Sequence, residues 1–254
     1  MFKTIDALRQ EIDSHRPLTT GELARLREEF MVSFTYNSNA MEGNNLTLQE
    51  TALVLEGITI DKKPLKDHLE AVGHRDAFLY VLDLVHRKEP ISERVMKEIH
   101  SLVLMHQPQD KGVYRRVPVT IMGAAREPVQ PYMVPVRMEQ LLTEYYDDGS
   151  SNHLVERVAW FHLEFEGVHR FIDGNGRTGR MLVNLEFMKA GYPPIDIKFA
   201  DRRRYYDCFT DYHQTGSSKG MTELFASYLE QEMERYLFII KTANSLSESD
   251  WEKR

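Results

Sequence analysis

The 254-residue chain has one cysteine, no long apolar run and no excess of basic residues. The single Cys208 excludes an intramolecular disulfide and a cysteine-based structural zinc site. No stretch approaches the roughly 18 apolar residues of a membrane span, and the N-terminus lacks the apolar core of a signal peptide. We therefore expect a cytoplasmic protein with no membrane partner. Lys and Arg number 32 against 39 Asp and Glu, a formal net charge of -7, which argues against DNA binding.

Helical periodicity dominates the rest of the chain. Apolar residues recur at close to 3.6-residue spacing from Leu23 to Met41, and Gly43 is a helix stop signal. A capping box, Thr47-Leu48-Gln49-Glu50, predicts the start of the next helix. One further helix is predicted after Pro64, with Leu65, Leu69, Val72 and Leu79 on one face, and another is predicted after Ser92. Three more are predicted over Leu154 to Val168, Gly176 to Ala190 and about 221–242.

Residues 117–135 break the helical pattern. Val117, Val119 and Ile121 alternate with other residues, a Gly-containing turn follows, and prolines recur up to Pro135. This pattern predicts a short β-hairpin, or flap, with an exposed edge. The predicted fold class is therefore all-α, a helical bundle with one short hairpin flap.

The segment from His169 to Arg180, His-Arg-Phe-Ile-Asp-Gly-Asn-Gly-Arg-Thr-Gly-Arg, carries the chemistry. It is called the signature segment below. Its Gly-rich turn opens a helix, and a helix N-terminus with its free N–H groups suits an oligophosphate. Arg177 and Arg180 are three residues apart and can bind phosphate oxygens, Asp173 can hold Mg²⁺, and His169 can accept a proton near neutral pH.

Each of these features alone has an ordinary structural explanation. A Gly-rich turn is usually only a turn, paired arginines are usually a solvated helix face, and a histidine at a helix end is usually a cap. Their convergence within twelve residues favours a functional site. A zinc site is not expected, because His162 and His169 are spaced by seven residues, not by the four of a helical metal pair.

The signature segment resembles that of the Fic-domain family, His-Pro-Phe-x-Asp/Glu-Gly-Asn-Gly-Arg-x-x-Arg. One signature position differs, since Arg170 stands where the family usually has Pro. The resemblance extends to Gly112-Val113-Tyr114-Arg115 and to Gly191-Tyr192-Pro193-Pro194, and covers about residues 30–240. It implies a nucleotidyltransferase that moves AMP from ATP, with Mg²⁺, onto a Ser, Thr or Tyr hydroxyl of a protein.

The resemblance also implies roles for individual residues. His169 would be the general base, Asp173 would hold Mg²⁺ through the phosphates, and Arg177 and Arg180 would hold the leaving phosphates. A target protein would pair with the flap edge, as in β-augmentation. In relatives an Asn often contacts the nucleotide, and the residue that aligns with this Asn here is His213. The nucleotide-binding set comprises Asp173, Gly174, Asn175, Gly176, Arg177, Thr178, Gly179, Arg180, Tyr205, Met122, Gly123, Ala124 and Ala125.

An N-terminal segment, Ser38-Asn39-Ala40-Met41-Glu42-Gly43-Asn44, resembles the family's inhibitory motif, Ser/Thr-x-x-x-Glu-Gly/Asn. It is called segment 38–44 below. The resemblance implies that Glu42 pairs with Arg180 and that Ser38 and Gly43 belong to the regulatory site. We expect an N-terminal helical region over residues 1–60, a Fic core over 61–244 and a frayed tail over 245–254.

Several alternatives stay open at this point. The same glutamate assists removal of AMP in some relatives, so a bifunctional enzyme that adds and removes AMP is one alternative. A non-catalytic nucleotide-binding regulator is a second, and a plain helical scaffold for protein interaction is a third. The complete Gly174-Asn175-Gly176-Arg177 sequence favours AMP transfer over phosphate transfer. The modified residue, auto-AMPylation and a homodimer are left undecided by the sequence.

Overall fold

A computed structural model describes residues 2–15, 17–120, 127–147 and 152–251, with side chains up to residue 242. All regular secondary structure in these ranges is helical, which confirms the predicted class. Two short 3₁₀ turns lie at Pro131–Met133 and Phe199–Asp201. The α-helices are α1 Phe2–Ser14, α2 Thr20–Ala40, α3 Leu48–Leu55, α4 Leu65–His86, α5 Glu93–Val103, α6 Val134–Asp147, α7 Leu154–Val168, α8 Asn175–Lys189, α9 Arg202–Thr215 and α10 Lys219–Trp251.

The helix starts follow local capping signals. Thr47 and Glu50 form the predicted capping box at the start of α3, and Thr19 and Glu22 form another at α2. Ser92 caps α5 through the Val95 N–H. These side chains satisfy N–H groups that a helix leaves without an intrahelical partner. No described helix is both long and apolar enough to cross a bilayer.

Helices α7 and α8 lie at the centre of the packing. One apolar cluster includes Phe161 and Phe165 of α7 with Met181 and Leu185 of α8. A second cluster includes Val158 and Leu163 of α7, again with α8 side chains. Because both helices are buried from two sides, the connection between them, residues 169–174, starts and ends on fixed helix termini.

The predicted hairpin is not seen in the described part of residues 117–135. Residues 117–120 and 127–130 form no strand, Pro131–Met133 is a 3₁₀ turn and α6 begins at Val134. The prolines explain this difference, because they lack the N–H that a strand ladder needs and Pro131 suits the start of a helical turn. The predicted turn with Met122, Gly123, Ala124 and Ala125 lies outside the described residues.

Helix α4 buries a different face from the apolar one seen in the sequence. Leu65 and Leu79 are 71% and 49% exposed. The buried face instead combines Ala77 and Phe78 with polar side chains such as Glu70 and His74. These polar groups have partners on α2 and α8. The buried face of α4 is therefore determined by these polar contacts more than by its leucines.

The last helix continues past Asn244, where the sequence predicts a frayed tail. Its backbone is helical from Lys219 to Trp251. Leu224, Met233 and Leu237, which lie within the predicted helix over about 221–242, are all buried. The helix packs against α1, α7 and α9, so the N-terminal helix is tied directly to the C-terminal part of the described chain.

Candidate active site

A cavity of about 570 Å³ lies beside the connection between α7 and α8. Residues of α9 form its opposite wall, and Glu42 of segment 38–44 reaches into it. The volume is within the range of small-molecule sites. The cavity is lined by Glu42, Glu166, His169, Ile172, Asp173, Gly174, Asn175, Gly176, Arg180, Tyr205, Tyr206, Phe209, Thr210 and His213.

His169 closes the C-terminus of α7 in the left-handed region, at φ 46°. Its N–H donates to the Glu166 carbonyl, and its own carbonyl accepts from Arg115 Nε at 2.7 Å. Burial lowers the pKa of the His169 imidazole to about 4, with Arg115 and Arg170 adding to the effect. The ring is therefore neutral near pH 7 and can accept a proton.

The turn after His169 is held by its own side chains. The Asn175 amide donates to the Phe171 carbonyl at 2.9 Å and accepts from the Phe171 N–H at 3.0 Å. Gly174 precedes α8 at φ 75°, a conformation that favours glycine. The first N–H groups of α8 therefore face the cavity with a preformed geometry that suits an anion.

Asp173 Oδ1 accepts from the Gly174 N–H at 2.6 Å and from Arg177 Nη2 at 3.0 Å, and Oδ2 accepts from Gln107 Nε2 at 3.2 Å. Burial alone would raise the pKa of this carboxyl, but Arg177 and the Gly174 N–H hold it below its ordinary value. The described residues contain no group of three or more His, Cys, Asp or Glu suited to a metal. A single ionised carboxylate beside an anion site fits Mg²⁺, which takes its other oxygens from phosphates and water.

Arg177 and Arg180 point in different directions, although a spacing of three residues on a helix can place two side chains on one side. Arg177 is 1% exposed and donates to Glu70 and Asp173. Arg180 donates instead from Nε to Ser38 Oγ at 3.0 Å and faces the cavity. Thr178 and Gly179 are turned inward, since Thr178 is fully buried and a Cβ on Gly179 would lie 2.4 Å from the Glu166 carboxylate. Arg180 is therefore the signature arginine on the cavity wall.

Segment 38–44 lies directly against the start of α8. Glu42 Oε1 accepts from Arg180 Nη2 at 2.8 Å, and the Ser38 carbonyl accepts from the same nitrogen at 2.9 Å. A Cβ on Gly176 would lie 2.4 Å from Glu42 Oε1. The carboxylate thus occupies the place where the helix terminus would meet an anion. Gly43 follows at φ 89° and turns the chain away.

Helix α9 supplies the remaining predicted residues. Tyr205 is buried, its hydroxyl lies 2.7 Å from His162 Nε2, and its ring lines the cavity. His213 lines the cavity from the last turn of α9. The structure therefore brings His169, Asp173, Arg180, Glu42 and Tyr205 together around one cavity.

Sequence reasoning missed a third carboxylate on the cavity wall, beside Glu42 and Asp173. Glu166 lies one turn before His169 on α7, and burial raises its pKa to about 7. Its Oε1 has no hydrogen-bond partner among the described residues. The signal was its spacing of three residues from His169, which places both side chains at the same helix end.

The fold and the site together define a helical protein that presents a neutral histidine, a carboxylate and an anion-binding helix terminus to one cavity. The Fic/DOC family model matches residues 90–187. The Protein adenylyltransferase Fic of Drosophila persimilis is 32% identical over 248 residues, which cover 94% of this chain and 48% of the relative. That of Nematostella vectensis is 31% identical, with 93% and 56% covered.

Solved structures agree with these sequence matches. A Fic domain containing signaling protein from Bacteroides thetaiotaomicron superposes with a TM-score of 0.85 at 27% identity, covering 94% of this chain and 97% of that one. Fic-1 from C. elegans gives a TM-score of 0.82 at 29% identity, covering 95% and 72%. Residues 90–187 therefore form a domain of the Fic/DOC family, and the similarity to these proteins extends over most of the chain. The chain spans about half the length of the Drosophila relative, at 48%.

Proposed function

We propose that this chain is a protein adenylyltransferase that transfers AMP from ATP to a hydroxyl of a target protein. The observation that carries the proposal is the joint lining of one cavity by neutral His169, by the α8 terminus at Gly176 and by Arg180. The similarity to relatives called protein adenylyltransferases supports the same activity.

The transfer follows from the chemistry of these groups. The target hydroxyl oxygen forms a bond to the α-phosphorus, the bond from that phosphorus to the oxygen bridging to the β-phosphate breaks, and pyrophosphate leaves. His169 takes the hydroxyl proton. The α8 N–H groups and Arg180 stabilise charge on the phosphates. Mg²⁺, held through Asp173, would neutralise phosphate charge when bound.

Segment 38–44 is proposed to inhibit the transfer within the same chain. Glu42 pairs with Arg180 and its carboxylate packs on Gly176, so it competes with the phosphates for both groups. On this basis we assign residues 1–60 to an N-terminal helical region that contains the inhibitory motif and residues 61–244 to the Fic core.

The target is proposed to dock beside residues 117–135. Arg115 supports this placement, because it donates to the carbonyls of Val117 and Val129 and to that of His169. One buried side chain thus ties both arms of this segment to the catalytic turn. A target backbone lying along these arms would bring its hydroxyl near His169.

Removal of AMP from a modified target is a second candidate activity. Glu42 lines the same cavity as His169, so the carboxylate could orient an attacking water when AMP is bound as a protein ester. Incubation of the wild-type protein with an AMPylated target decides this point. Release of AMP that depends on Glu42 supports a bifunctional enzyme, and a stable ester rules it out.

We predict that Glu42→Gly raises AMP transfer at least tenfold, because it frees Arg180 and the α8 terminus for the phosphates. Incorporation of label from α-labelled ATP with Mg²⁺, on the protein itself and on lysate proteins, measures the effect. Glu56→Gly is the matched control, since Glu56 is an exposed carboxylate at the end of α3. Equal labelling by Glu42→Gly and the wild type would show that the glutamate does not inhibit.

His169→Ala in the Glu42→Gly background is expected to abolish labelling, because it removes the neutral imidazole that is proposed to take the hydroxyl proton. Thermal stabilisation by ATP should persist, since the α8 terminus and Arg180 are unchanged. His86→Ala, at an exposed histidine on α4, is the control. Full labelling by the His169→Ala protein would contradict its assignment as the base.

A further inference from the structure

Glu70 of α4 is a buried carboxylate that the signature segment does not contain. Its side chain is 4% exposed. Oε1 accepts from Arg177 Nη1 at 3.0 Å, and Oε2 accepts from Asn44 Nδ2 at 2.9 Å. Lys66 Nζ, at 3.5 Å, is a further cation near Oε1. The carboxylate is therefore held between helix α8 and the end of segment 38–44.

Arg177 joins this carboxylate to Asp173. Its Nη1 donates to Glu70 and its Nη2 donates to Asp173 Oδ1, at 3.0 Å in both cases. The guanidinium is planar, so the direction of one hydrogen bond fixes the direction of the other. Arg177 is 1% exposed and is not among the residues that line the cavity. It therefore links the buried Glu70 to Asp173, which lies on the cavity wall.

The charge of Glu70 affects how strongly Arg177 neutralises Asp173. An arginine paired with Asp173 alone would compete with a metal cation for the same carboxylate. Glu70 supplies a second negative charge to Arg177, so Asp173 retains more of its own charge for a cation. Gln107 holds Asp173 Oδ2 from the other side at 3.2 Å, and the Gly174 N–H also fixes Oδ1.

We propose that Glu70 is a positioning residue for cation binding at Asp173 and that it acts through Arg177. The inference rests on the proposed function, because it takes Asp173 as the carboxylate that meets the metal of the ATP complex. It assigns Arg177 to the support of that carboxylate and leaves Arg180 as the signature arginine available to phosphates.

The test uses the full chain carrying Glu42→Gly, so that the nucleotide site is free of the glutamate. Mn²⁺ is titrated at fixed ATP, and binding is followed by the electron paramagnetic resonance of free Mn²⁺. Glu70→Gln is expected to raise the Mn²⁺ concentration at half-saturation by about tenfold, because it leaves Arg177, the hydrogen-bonded partner of Asp173, without its second carboxylate. Affinity for metal-free ATP should stay unchanged.

Glu186→Gln is the matched control. Glu186 is also a buried carboxylate, but it lies near the C-terminus of α8, where its partners are Tyr145 and Lys189. Its loss of charge should leave the Mn²⁺ titration as in the parent. A shift of the same size in this control would mean that any buried carboxylate has the effect, and would overturn the inference.

A second variant separates support of Asp173 from phosphate binding. Arg177→Lys keeps the charge but cannot bridge both carboxylates, so the Mn²⁺ half-saturation should rise while metal-free ATP still binds as before. Combining it with Glu70→Gln should add little, because both act on one link. Weaker binding of metal-free ATP by Arg177→Lys would assign Arg177 to the phosphates and overturn the inference.

The outcomes also separate this inference from the proposed function. Failure of the Glu42→Gly parent to bind Mn²⁺ with ATP would count against the proposed function. A parent that binds, with an unchanged half-saturation in Glu70→Gln, would overturn the role of Glu70 alone. Circular dichroism checks folding, and if Glu70→Gln does not fold, the Arg177→Lys titration decides.

Discussion

Arg170 is a fully buried cation without an ion-pair partner among the described residues. It stands where the Fic signature usually has proline. Its guanidinium packs over the Phe165 ring and donates to the Phe165 carbonyl and, at 3.4 Å, to the sulfur of Met96. Burial lowers the pKa of Arg170 to about 9. The charge is therefore retained near pH 7 at a cost in stability.

Replacement of this charge should stabilise the protein. Because the folded-state pKa lies below the unfolded one, the cost is complete below about pH 9 and falls as the pH rises further. Arg170→Met keeps much of the volume and removes the charge, so the free energy of unfolding at pH 7 should rise by about 1–3 kcal/mol. Urea unfolding measures it.

Arg116→Met is the control for Arg170→Met, since Arg116 is exposed and its loss should change stability by less than about 0.5 kcal/mol. A marked loss of stability in Arg170→Met alone would show that the two hydrogen bonds of Arg170 outweigh its desolvation.

At the scale of elements, helix α2 carries segment 38–44 and is fixed to the core by a buried network. Asn37 Nδ2 donates to Asp196 Oδ2 at 2.8 Å, and Asn37 Oδ1 accepts from the Phe199 N–H at 3.0 Å. Ser33 and Lys198 also donate to Asp196 Oδ2. The end of α2 is thus tied to the chain between α8 and α9, which fixes how far Glu42 reaches.

Asn37→Ala is expected to loosen this attachment. It should raise basal AMP transfer several-fold, because Glu42 would leave Arg180 more often, and should lower the free energy of unfolding by about 1–3 kcal/mol. Labelling assays and urea unfolding measure the two effects.

The control for Asn37→Ala is Tyr145→Phe. It removes another buried hydrogen bond to a carboxylate, that of Tyr145 to Glu186, and should lower stability without raising transfer. A destabilised Asn37→Ala protein with wild-type transfer would show that this network does not position Glu42.

The elements also show what the sequence can predict. Helix α8 was expected from Gly176 to Ala190 and runs from Asn175 to Lys189, because its turn, its Gly cap and its prolines are local signals. The buried face of α4 was not predictable, since Glu70 and His74 are buried by partners distant in sequence. For the same reason the sequence located Arg177 in the site but could not show that it turns to Glu70.

At the scale of the whole molecule, ligand binding and folding are linked. Both apolar clusters include side chains of α7 and α8, so a ligand at the connection between these helices contacts the centre of the packing. A ligand that binds only the folded state raises the unfolding temperature according to its affinity. In the inhibition proposed above, the Glu42–Arg180 pair lowers the affinity for phosphates.

We therefore expect ATP with Mg²⁺ to raise the unfolding temperature more in Glu42→Gly than in the wild type. Differential scanning fluorimetry over a range of ATP concentrations measures the shift. AMP is the comparison ligand, because it lacks the phosphates that compete with Glu42, and its shift should be similar in both proteins. Equal shifts with ATP would contradict competition between Glu42 and the phosphates.

The contact between Glu42 and Arg180 joins residues 138 positions apart in one chain. The Glu42 carboxylate is therefore a ligand tethered to its own binding site. Its effective concentration at the α8 terminus is set by the fold and not by the amount of protein. Dilution cannot dissociate it. In the proposed inhibition, a free nucleotide must compete with this fixed local concentration of carboxylate. The nucleotide concentration of the surroundings would then decide how often the site opens.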